Sequence, residues 1–285
     1  MPIDLEKALG APLGGGEYSY TKNDVILYHL GVGAGVPATD ANELEYCYEK
    51  NLKVLPSFGV IPTFGSMASM GSVPGLEFNF AMLLHGEQDL EVHQPIPPEA
   101  TITNTGKVAE IWDKGKAALV VLQVDSSDEA GKPLFTNRFS LFLRGEGGFG
   151  GESGPKAGNT PPDRAPDGVV EKKLMPQQAL IYRLSGDTNP LHADPDFAKM
   201  AGFDRPIIHG LCSYGITCKA VVDDALAGDV TKVARYQVRF AGVGYPGETY
   251  RISYWREGDK ILIESRSVER DNAAIITNAA ITVRE

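Results

Sequence analysis

Residues 182–217 place several groups capable of acid–base chemistry in one short stretch of chain. Asp187 and His192 lie in a loop of sequence D-x-N-P-L-H, and His209 and Gly210 follow where a helical apolar pattern begins. An acid and an imidazole on one turn are suited to moving protons. The amide of a glycine at a helix N-terminus is suited to binding a developing negative charge.

These groups suit the addition of water to a carbon–carbon double bond conjugated to a carbonyl. Such a reaction takes a proton from water, delivers one to the neighbouring carbon, and needs donors for the enolate oxygen. Asp187 is the predicted base and His192 its partner. Asn189 would orient the water or a substrate oxygen, and Pro190 stiffens the turn because its φ is fixed. The Gly210 amide would bind the enolate oxygen.

Structural roles for the same residues stay open at this point. Asp187 could cap the backbone of its own loop, and Gly210 could serve close packing of a helix. His209 could be a hydrogen-bonding histidine of the scaffold. A hydrolytic triad of Ser185, Asp187 and His192 is disfavoured because the chain has no G-x-S-x-G nucleophile elbow.

Metal and dinucleotide sites are also disfavoured. His192, Asp194 and His209 match no familiar spacing of metal ligands, so we expect no metal. The glycine-rich residues 31–35 follow a predicted helix, whereas a dinucleotide fingerprint follows a strand. We therefore expect no cofactor. The cysteines are too few and too irregularly spaced for a disulfide framework and should be buried apolar residues: Cys47, Cys212 and Cys218.

Composition narrows the class of protein. The chain has 285 residues, 42% of them hydrophobic, and a net charge of −10, which disfavours nucleic acid as a partner. It has no run of ~18 apolar residues that would span a membrane. The first residues do not resemble a secretory signal, and the last, ITVRE, do not match a peroxisomal signal. We expect a cytoplasmic protein.

An internal repeat divides the chain into two halves. Residues 145–168 are rich in glycine and proline and are predicted to link a unit at 1–144 to a second unit at 169–285. Landmarks recur in the same order in both units. The matching pairs are 26–30 with 180–184, 112–116 with 255–260, and 136–137 with 277–278.

Each unit is predicted to contain a short helix followed by antiparallel strands. Period-2 patterns and turn residues predict strands at 88–93, 100–112, 116–125 and 133–143, and at 232–240, 248–256, 259–269 and 273–283. A helix is predicted from Pro176 to Gly186, and a helix buried on most sides over 207–226. This α+β pattern predicts two tandem hot-dog units, with an antiparallel sheet wrapped around a long central helix in the C-terminal unit.

The first unit departs from the second where the long helix should be. Prolines and glycines interrupt residues 55–80, which predicts a shortened or missing central helix and an open space in its place. Gly33 stands where the second unit has Asp187, and no histidine follows at the matching spacing. The first unit is therefore predicted to be a non-catalytic copy.

Over its whole length the sequence resembles the hydratase 2 family, the (R)-specific 2-enoyl-CoA hydratases of MaoC-like type. The most specific matching motifs are YRLSGDTNPLHADPDFAKMAGFDRPIIHGLC, LHGEQ, WDKGK, RGEGGFGG and RFAGVGYPGET. The resemblance implies a double hot-dog fold. It also implies reversible hydration of trans-2-enoyl-CoA to (3R)-3-hydroxyacyl-CoA in fatty acid or related acyl-CoA metabolism, by a homodimer.

The resemblance also implies roles for individual residues. Asp187, His192 and Asn189 match the catalytic loop of the family, and Gly210 the glycine that binds the thioester oxygen. The implied contacts with the coenzyme A thioester are His85, Gly86, Lys114, Thr188, Pro190, Leu191, Arg239 and Phe240. Coenzyme A would be part of the substrate. Alternatives are a hot-dog acyl thioesterase, an acyl-carrier-protein dehydratase, or a non-catalytic acyl-CoA-binding protein.

Overall fold

One continuous antiparallel sheet of ten strands forms the framework of the molecule. The computed structural model describes residues 3–284, apart from the side chain of Ala81; Met1, Pro2 and Glu285, which the predicted units include, lie outside the described residues. The strands are β1 (Pro12–Tyr20), β2 (Leu83–Val92), β3 (Ala100–Asp113), β4 (Ala117–Ser127), β5 (Pro133–Arg144), β6 (Gly168–Lys173), β7 (Val233–Phe240), β8 (Thr249–Glu257), β9 (Lys260–Ser267) and β10 (Ala273–Val283).

The strand order of the second half mirrors that of the first half about the middle of the sheet. It runs β1-β3-β4-β5-β2-β7-β10-β9-β8-β6, so each strand of the first half has a counterpart at the mirrored position in the second. The halves join through β2 and β7, where Glu87 pairs with Arg239 and Leu90 with Tyr236. The predicted duplication and the double hot-dog fold are confirmed.

Within residues 3–284, seven α-helices accompany the sheet, and the longest of them lies inside its C-terminal half. They are α1 (Leu5–Ala8), α2 (Lys22–Gly31), α3 (Ala41–Cys47), α4 (Phe64–Ala68), α5 (Gln178–Tyr182), α6 (Pro195–Met200) and α7 (Gly210–Ala225). Helix α7 is buried over most of its length, and the hydroxyl of Tyr236 on β7 donates to the carbonyl of Tyr214 at 3.1 Å. None of the helices described here is long and apolar enough to cross a membrane.

Within residues 3–144 the long helix has no counterpart, as predicted. Short turns replace it: 3-10 turns at Pro56–Val60 and Ser69–Ser72, with the five-residue α4 between them. The predicted open space is filled in part, because Leu55, Phe58 and Val60 are fully buried in the same core as α7.

Helices α2 and α5 occupy equivalent positions in the repeat and pack against each other. Tyr28 and Tyr182, which the repeat aligns, meet with ring centroids 6.0 Å apart. Gly31 permits this approach, because a Cβ at that position would lie 3.0 Å from the Cα of Tyr182. The repeat seen in the sequence thus corresponds to a direct contact between its two copies.

Most predicted strands are confirmed to within two residues, with some exceptions. Strand β2 begins at Leu83, five residues before the predicted start. Strands β1 and β6 were not predicted. The three consecutive glycines of β1 disfavour a strand, yet there they allow close approach: a Cβ on Gly15 would lie 2.4 Å from the carbonyl oxygen of Asn104.

Both predicted helices of the C-terminal unit begin later than expected. Helix α5 begins at Gln178, because Pro176 lies in the preceding turn; it continues as a 3-10 turn and closes at Gly186, whose φ is +127°. Helix α7 begins at Gly210 rather than at residue 207, because the chain is still extended at His209, with φ −57° and ψ 138°. In both cases apolar residues continue on the N-terminal side of the helix, so the pattern predicts a start that is too early.

The segment between the two halves crosses the sheet without regular structure. Residues 145–167 form no helix or strand, between the end of β5 at Arg144 and the start of β6 at Gly168. The division into units at 1–144 and 169–285 stays a prediction. Of the cysteines, Cys212 and Cys218 are buried as expected, whereas Cys47 is half-buried.

Candidate active site

The loop from Asp187 to His192 is held by its own polar side chains. A carboxylate oxygen of Asp187 accepts from the amide of Asn189 at 3.2 Å, and Oδ1 of Asn189 accepts from the amide of Leu191 at 3.0 Å. Arg183 donates to the carbonyl of Thr188 at 3.3 Å. The amide nitrogen of Asn189 makes no hydrogen bond in the described part of the chain and is available to orient a water or a substrate oxygen.

His192 is fixed in one tautomer. Its Nδ1 lies 2.9 Å from the carbonyl oxygen of Ile207, and because a carbonyl only accepts, Nδ1 carries the proton. The other nitrogen, Nε2, is then an acceptor in the neutral ring. Burial lowers the pKa of His192, with partial opposition from the Ile207 bond and the charge of Asp187. The ring is therefore neutral at physiological pH.

His209 contacts both Asp187 and His192. Its Nε2 donates to the backbone carbonyl of Asp187 at 3.1 Å, and its ring stacks on that of His192 with centroids 3.7 Å apart. The ring of Tyr182 also packs against that of His209, with centroids 5.0 Å apart. Burial, followed by the neighbouring His192, lowers the pKa of His209 to about 3. The sequence left His209 open as a scaffold histidine and disfavoured it as a metal ligand; the structure places it beside Asp187 and His192.

Asp187, His192 and His209 converge, whereas Asp194 does not. A carboxylate oxygen of Asp187 and one nitrogen from each ring lie within 4.8 Å of one another. Asp194 faces away from this cluster and caps α6, where its carboxylate accepts from the amides of residues 196 and 197. The distances among these three groups would allow them to share a ligand, and the expectation of no metal stays a prediction.

Gly210 is the first residue of α7 and is exposed at the site. An amide in the first turn of a helix has no intrahelical partner and points along the helix dipole. The ring of Phe240 packs beside it, because a Cβ on Gly210 would lie 3.4 Å from two ring carbons. A substrate oxygen can therefore reach the amide without obstruction by a side chain at this position.

His85 and Gly86 approach the site from the other half of the chain. Gly86 is the extra residue of a bulge in β2, and the imidazole of His85 lies 4.9 Å from the ring of Phe240. His85 is hydrogen-bonded through Nε2 to the carbonyl of Glu87 at 3.0 Å, and burial lowers its pKa to about 4. The His85–Phe240 contact joins the two units at the site.

A groove of about 870 Å³ extends from this contact across the outer face of the β2–β7 junction. Five of the predicted coenzyme A contacts line it: His85, Gly86, Lys114, Arg239 and Phe240. Thr188, Pro190 and Leu191 are not among its lining residues and lie instead on the Asp187 loop. The predicted residues thus fall into two groups joined through the Gly210–Phe240 contact.

Two contributions to the site were not foreseen. The carbonyl of Ile207 sets the tautomer of His192, and a backbone carbonyl leaves no signature in a sequence. Residues 155–159 of the inter-unit segment line the groove, although their composition indicated only a linker. The signal in the sequence for this role of residues 155–159 was the position of their segment between two units that share a site.

Two family models match consecutive parts of the chain. The MFE-2 hydratase 2 N-terminal domain matches residues 18–145, and the MaoC-like domain matches residues 157–278. The boundary between the two matches falls in the irregular segment between β5 and β6. The converging residues Asp187, His192 and His209 lie in the part that the MaoC-like model matches.

Characterised relatives resemble the chain over nearly its full length. Enoyl-CoA hydratase ChsH3 of Mycobacterium tuberculosis is 44% identical over 99% of both chains. The peroxisomal enoyl-CoA hydratase 2 of Arabidopsis thaliana is 41% identical over 90% of this chain and 89% of its own. The mouse peroxisomal multifunctional enzyme type 2 is 42% identical over 96% of this chain, which corresponds to 38% of its own length.

Solved structures show the same architecture. A MaoC-like dehydratase from Phytophthora capsici superposes with a TM-score of 0.88 at 33% identity, covering 99% of each chain. A Mycobacterium tuberculosis protein described as having a double hot-dog fold superposes with a TM-score of 0.61 over 99% of this chain and 98% of its own, at 11% identity, which supports the fold alone. By sequence and by fold, the chain belongs to the enoyl-CoA hydratase 2 family of MaoC-like proteins.

Proposed function

We propose that this chain catalyses the reversible hydration of a trans-2-enoyl-CoA to a (3R)-3-hydroxyacyl-CoA in fatty acid or related acyl-CoA metabolism. The observation that carries the proposal is the convergence of Asp187 and His192 with His209, the residue directly before the first amide of α7. The family and the names of its members indicate the reaction, and the geometry supplies the groups that the reaction needs. The (3R) outcome rests on the family.

One water molecule can contact both members of the pair. Two acceptors that share a water at ordinary hydrogen-bond lengths are roughly 4.6 Å apart, which agrees with the 4.8 Å limit within which the Asp187 and His192 atoms lie. Asp187 was predicted as the base, but we assign that role to His192, because its Nδ1 carries the proton donated to Ile207 and its Nε2 is an acceptor. The neutral ring accepts a proton through Nε2 as the water oxygen bonds to C3. The resulting imidazolium lies beside the Asp187 carboxylate, whose negative charge stabilises it.

The proton then moves to C2. As water adds to C3, the pair of electrons from the double bond moves towards the thioester oxygen, and an enolate develops. The Gly210 amide and the positive end of the α7 dipole stabilise that oxygen. The imidazolium of His192 returns its proton to C2, which restores the carbonyl and the neutral ring. The product has gained one molecule of water.

The two halves of the chain divide the substrate between them. The groove lined by His85, Gly86 and Phe240 would hold the coenzyme A portion. The acyl tail would enter the first half past Phe139, whose ring lies 5.8 Å from His85. The reaction would use no cofactor beyond the coenzyme A of its substrate. A homodimer and a cytoplasmic location complete the proposal, and a bacterial relative at 44% identity supports the latter.

Assays with defined thioesters separate hydration from its alternatives. Purified protein mixed with crotonyl-CoA should bleach the enoyl absorbance without releasing free thiol, and chiral analysis should identify the (3R) alcohol. Release of thiol at the same rate would indicate a thioesterase. Turnover of crotonyl-acyl-carrier-protein with none of crotonyl-CoA would indicate a dehydratase of the carrier-bound substrate. Binding without turnover would indicate a non-catalytic acyl-CoA-binding protein.

A further inference from the structure

Two acidic side chains along the groove, Glu87 and Asp89, are paired with arginines. Asp89 accepts from Arg235 at 2.8 Å, and Glu87 lies 3.4 Å from Arg239. Glu110, further along the groove, accepts from the indole of Trp112 at 2.8 Å. The charges of Asp89 and Glu87 are therefore largely offset by the arginines paired with them, whereas the neutral indole leaves the charge of Glu110 in place.

Two lysines at one end of the groove are not paired in this way. Lys114 and Lys156 both line it, and within residues 3–284 neither has a carboxylate within 4.0 Å. Lys114 donates to the carbonyl of Ser153, whereas Lys156 is exposed and takes part in no hydrogen bond or ion pair of the described structure. The lysines of the groove that have no carboxylate partner are thus located where the inter-unit segment crosses it.

Residues 153–159 form a strap over this end of the groove, fastened to both halves. On the first half, Gly154 lies against Trp112, so close that a Cβ there would come within 2.5 Å of the indole ring. On the second half, Asn278 donates to the carbonyl of Gly158 at 2.7 Å, and Lys260 donates to Asn159 at 3.3 Å. The strap holds Lys156 over the groove between these attachments.

We propose that the strap is part of the coenzyme A site and that Lys156 binds the phosphates of the substrate. Coenzyme A carries several negative charges on its phosphates, and a flexible lysine without a partner offers a mobile cation to them. Lys114 supplies a second charge from the β3–β4 turn. This assignment rests on the proposed function, because it presumes a coenzyme A thioester as the ligand.

Substrates with and without phosphates test the assignment. Lys156→Ala and Lys156→Glu are compared with wild type on crotonyl-CoA and on crotonyl-pantetheine, which lacks the phosphates. KM for crotonyl-CoA should rise about threefold in the alanine variant and about tenfold in the glutamate variant, with kcat unchanged. KM for crotonyl-pantetheine should not change. The rise of wild-type KM with added salt should be smaller in both variants.

Lys50→Glu is the matched control, because Lys50 is exposed in the turn after α3 and lies outside the groove. Lys50→Glu replaces a positive by a negative charge, as Lys156→Glu does. It should leave KM unaltered for both crotonyl-CoA and crotonyl-pantetheine. Equal changes on both substrates in the Lys156 variants, or no change on either, would overturn the assignment.

Calorimetry with coenzyme A alone separates this inference from the proposed function. If wild type hydrates neither thioester but binds coenzyme A, and Lys156→Glu weakens that binding about tenfold, the proposed reaction fails and the phosphate contact stands. If wild type hydrates crotonyl-CoA and the variant binds coenzyme A as tightly as wild type, only the phosphate contact fails. Absence of both turnover and binding in wild type would overturn both.

Discussion

The imidazoles of His192 and His209 stack with centroids 3.7 Å apart and planes 30° from parallel. Each ring has one nitrogen committed to a backbone carbonyl, His192 to that of Ile207 and His209 to that of Asp187. His209 therefore holds the loop that carries the acid and the ring that carries the base. Burial keeps it neutral, so it does not repel an imidazolium at His192.

We expect His209→Asn to lower kcat about 10- to 100-fold with a smaller change in KM, because the acid and the base would lose their fixed separation. Steady-state assays with crotonyl-CoA measure this. His93→Asn is the control: His93 is an exposed residue bonded to Thr136 at 3.1 Å and should tolerate the change. Unchanged kcat in a folded His209→Asn protein would contradict the positioning role.

Stability should fall as pH is lowered from about 6.5 towards 4. His29 is fully buried: it accepts from the Leu55 amide and donates to the Tyr46 carbonyl, and burial lowers its pKa to about 4. Between pH 6.5 and 4 the unfolded chain binds a proton that the folded ring does not, so stability is lost as pH falls. The loss is about 1.4 kcal/mol per pH unit for such a group.

Urea unfolding at pH 7, 6 and 5 tests this effect. His29→Gln should be less stable at pH 7 and show a shallower decline towards pH 5, whereas His93→Gln should keep the slope of wild type. Parallel slopes for wild type and His29→Gln would show that protonation of His29 does not control the acid response.

Two glycine substitutions in helices should have opposite effects on stability. A Cβ at Gly215 in α7 would lie 2.5 Å from Val32 and 2.6 Å from the hydroxyl of Tyr28. Gly215→Ala should therefore destabilise the fold by about 1–3 kcal/mol. Gly65 in α4 has open space, and Gly65→Ala should be neutral or stabilise by about 0.5–1 kcal/mol. Thermal and urea unfolding measure both, and equal effects would show that α7 does not pack as described.

Most of the architecture could be predicted from the sequence, because the same landmarks and turn residues occur in both halves. Matching landmarks predicted two halves, and turn residues bounded eight of the ten strands. Strand β1 was missed because glycine disfavours a strand on average, while its close approach to Asn104 requires glycine. Helix α7 was extended backwards because Ile207 and Ile208 are buried in an extended segment, where burial alone cannot distinguish helix from strand.

The site was predictable where it lies on one loop and not where it depends on tertiary contacts. Asp187 and His192 are five residues apart, so their meeting follows from a single turn. The contact between His85 and Phe240 joins distant parts of the chain, and only the join of β2 to β7 brings them together. The tautomer of His192 depends on the backbone carbonyl of Ile207. Any residue at that position has such a carbonyl, so the sequence does not reveal the contact.

The acyl tail is expected to run into the first half towards Met70. Met70 is buried in the same cluster as Phe139, which adjoins His85. Met70→Trp should narrow that path and lower kcat/KM for decenoyl-CoA about 10-fold or more relative to crotonyl-CoA. Leu226→Trp, at the distal end of α7, controls for lost stability and should leave the ratio unchanged. An unaltered ratio in Met70→Trp would exclude this route for the tail.

The central claim is that Asp187 and His192 together activate the water. Asp187→Asn keeps the shape of the side chain and a loop-capping oxygen but removes the negative charge beside His192. Asp194→Asn is the matched control, because asparagine caps a helix as well as aspartate and Asp194 serves α6 alone. Both variants should fold and bind coenzyme A as wild type does.

The decisive measurement is kcat for hydration of crotonyl-CoA by the two variants side by side. We expect Asp187→Asn to lose about 1000-fold or more, and Asp194→Asn to stay within about twofold of wild type. A folded Asp187→Asn protein with kcat close to that of wild type would contradict the account.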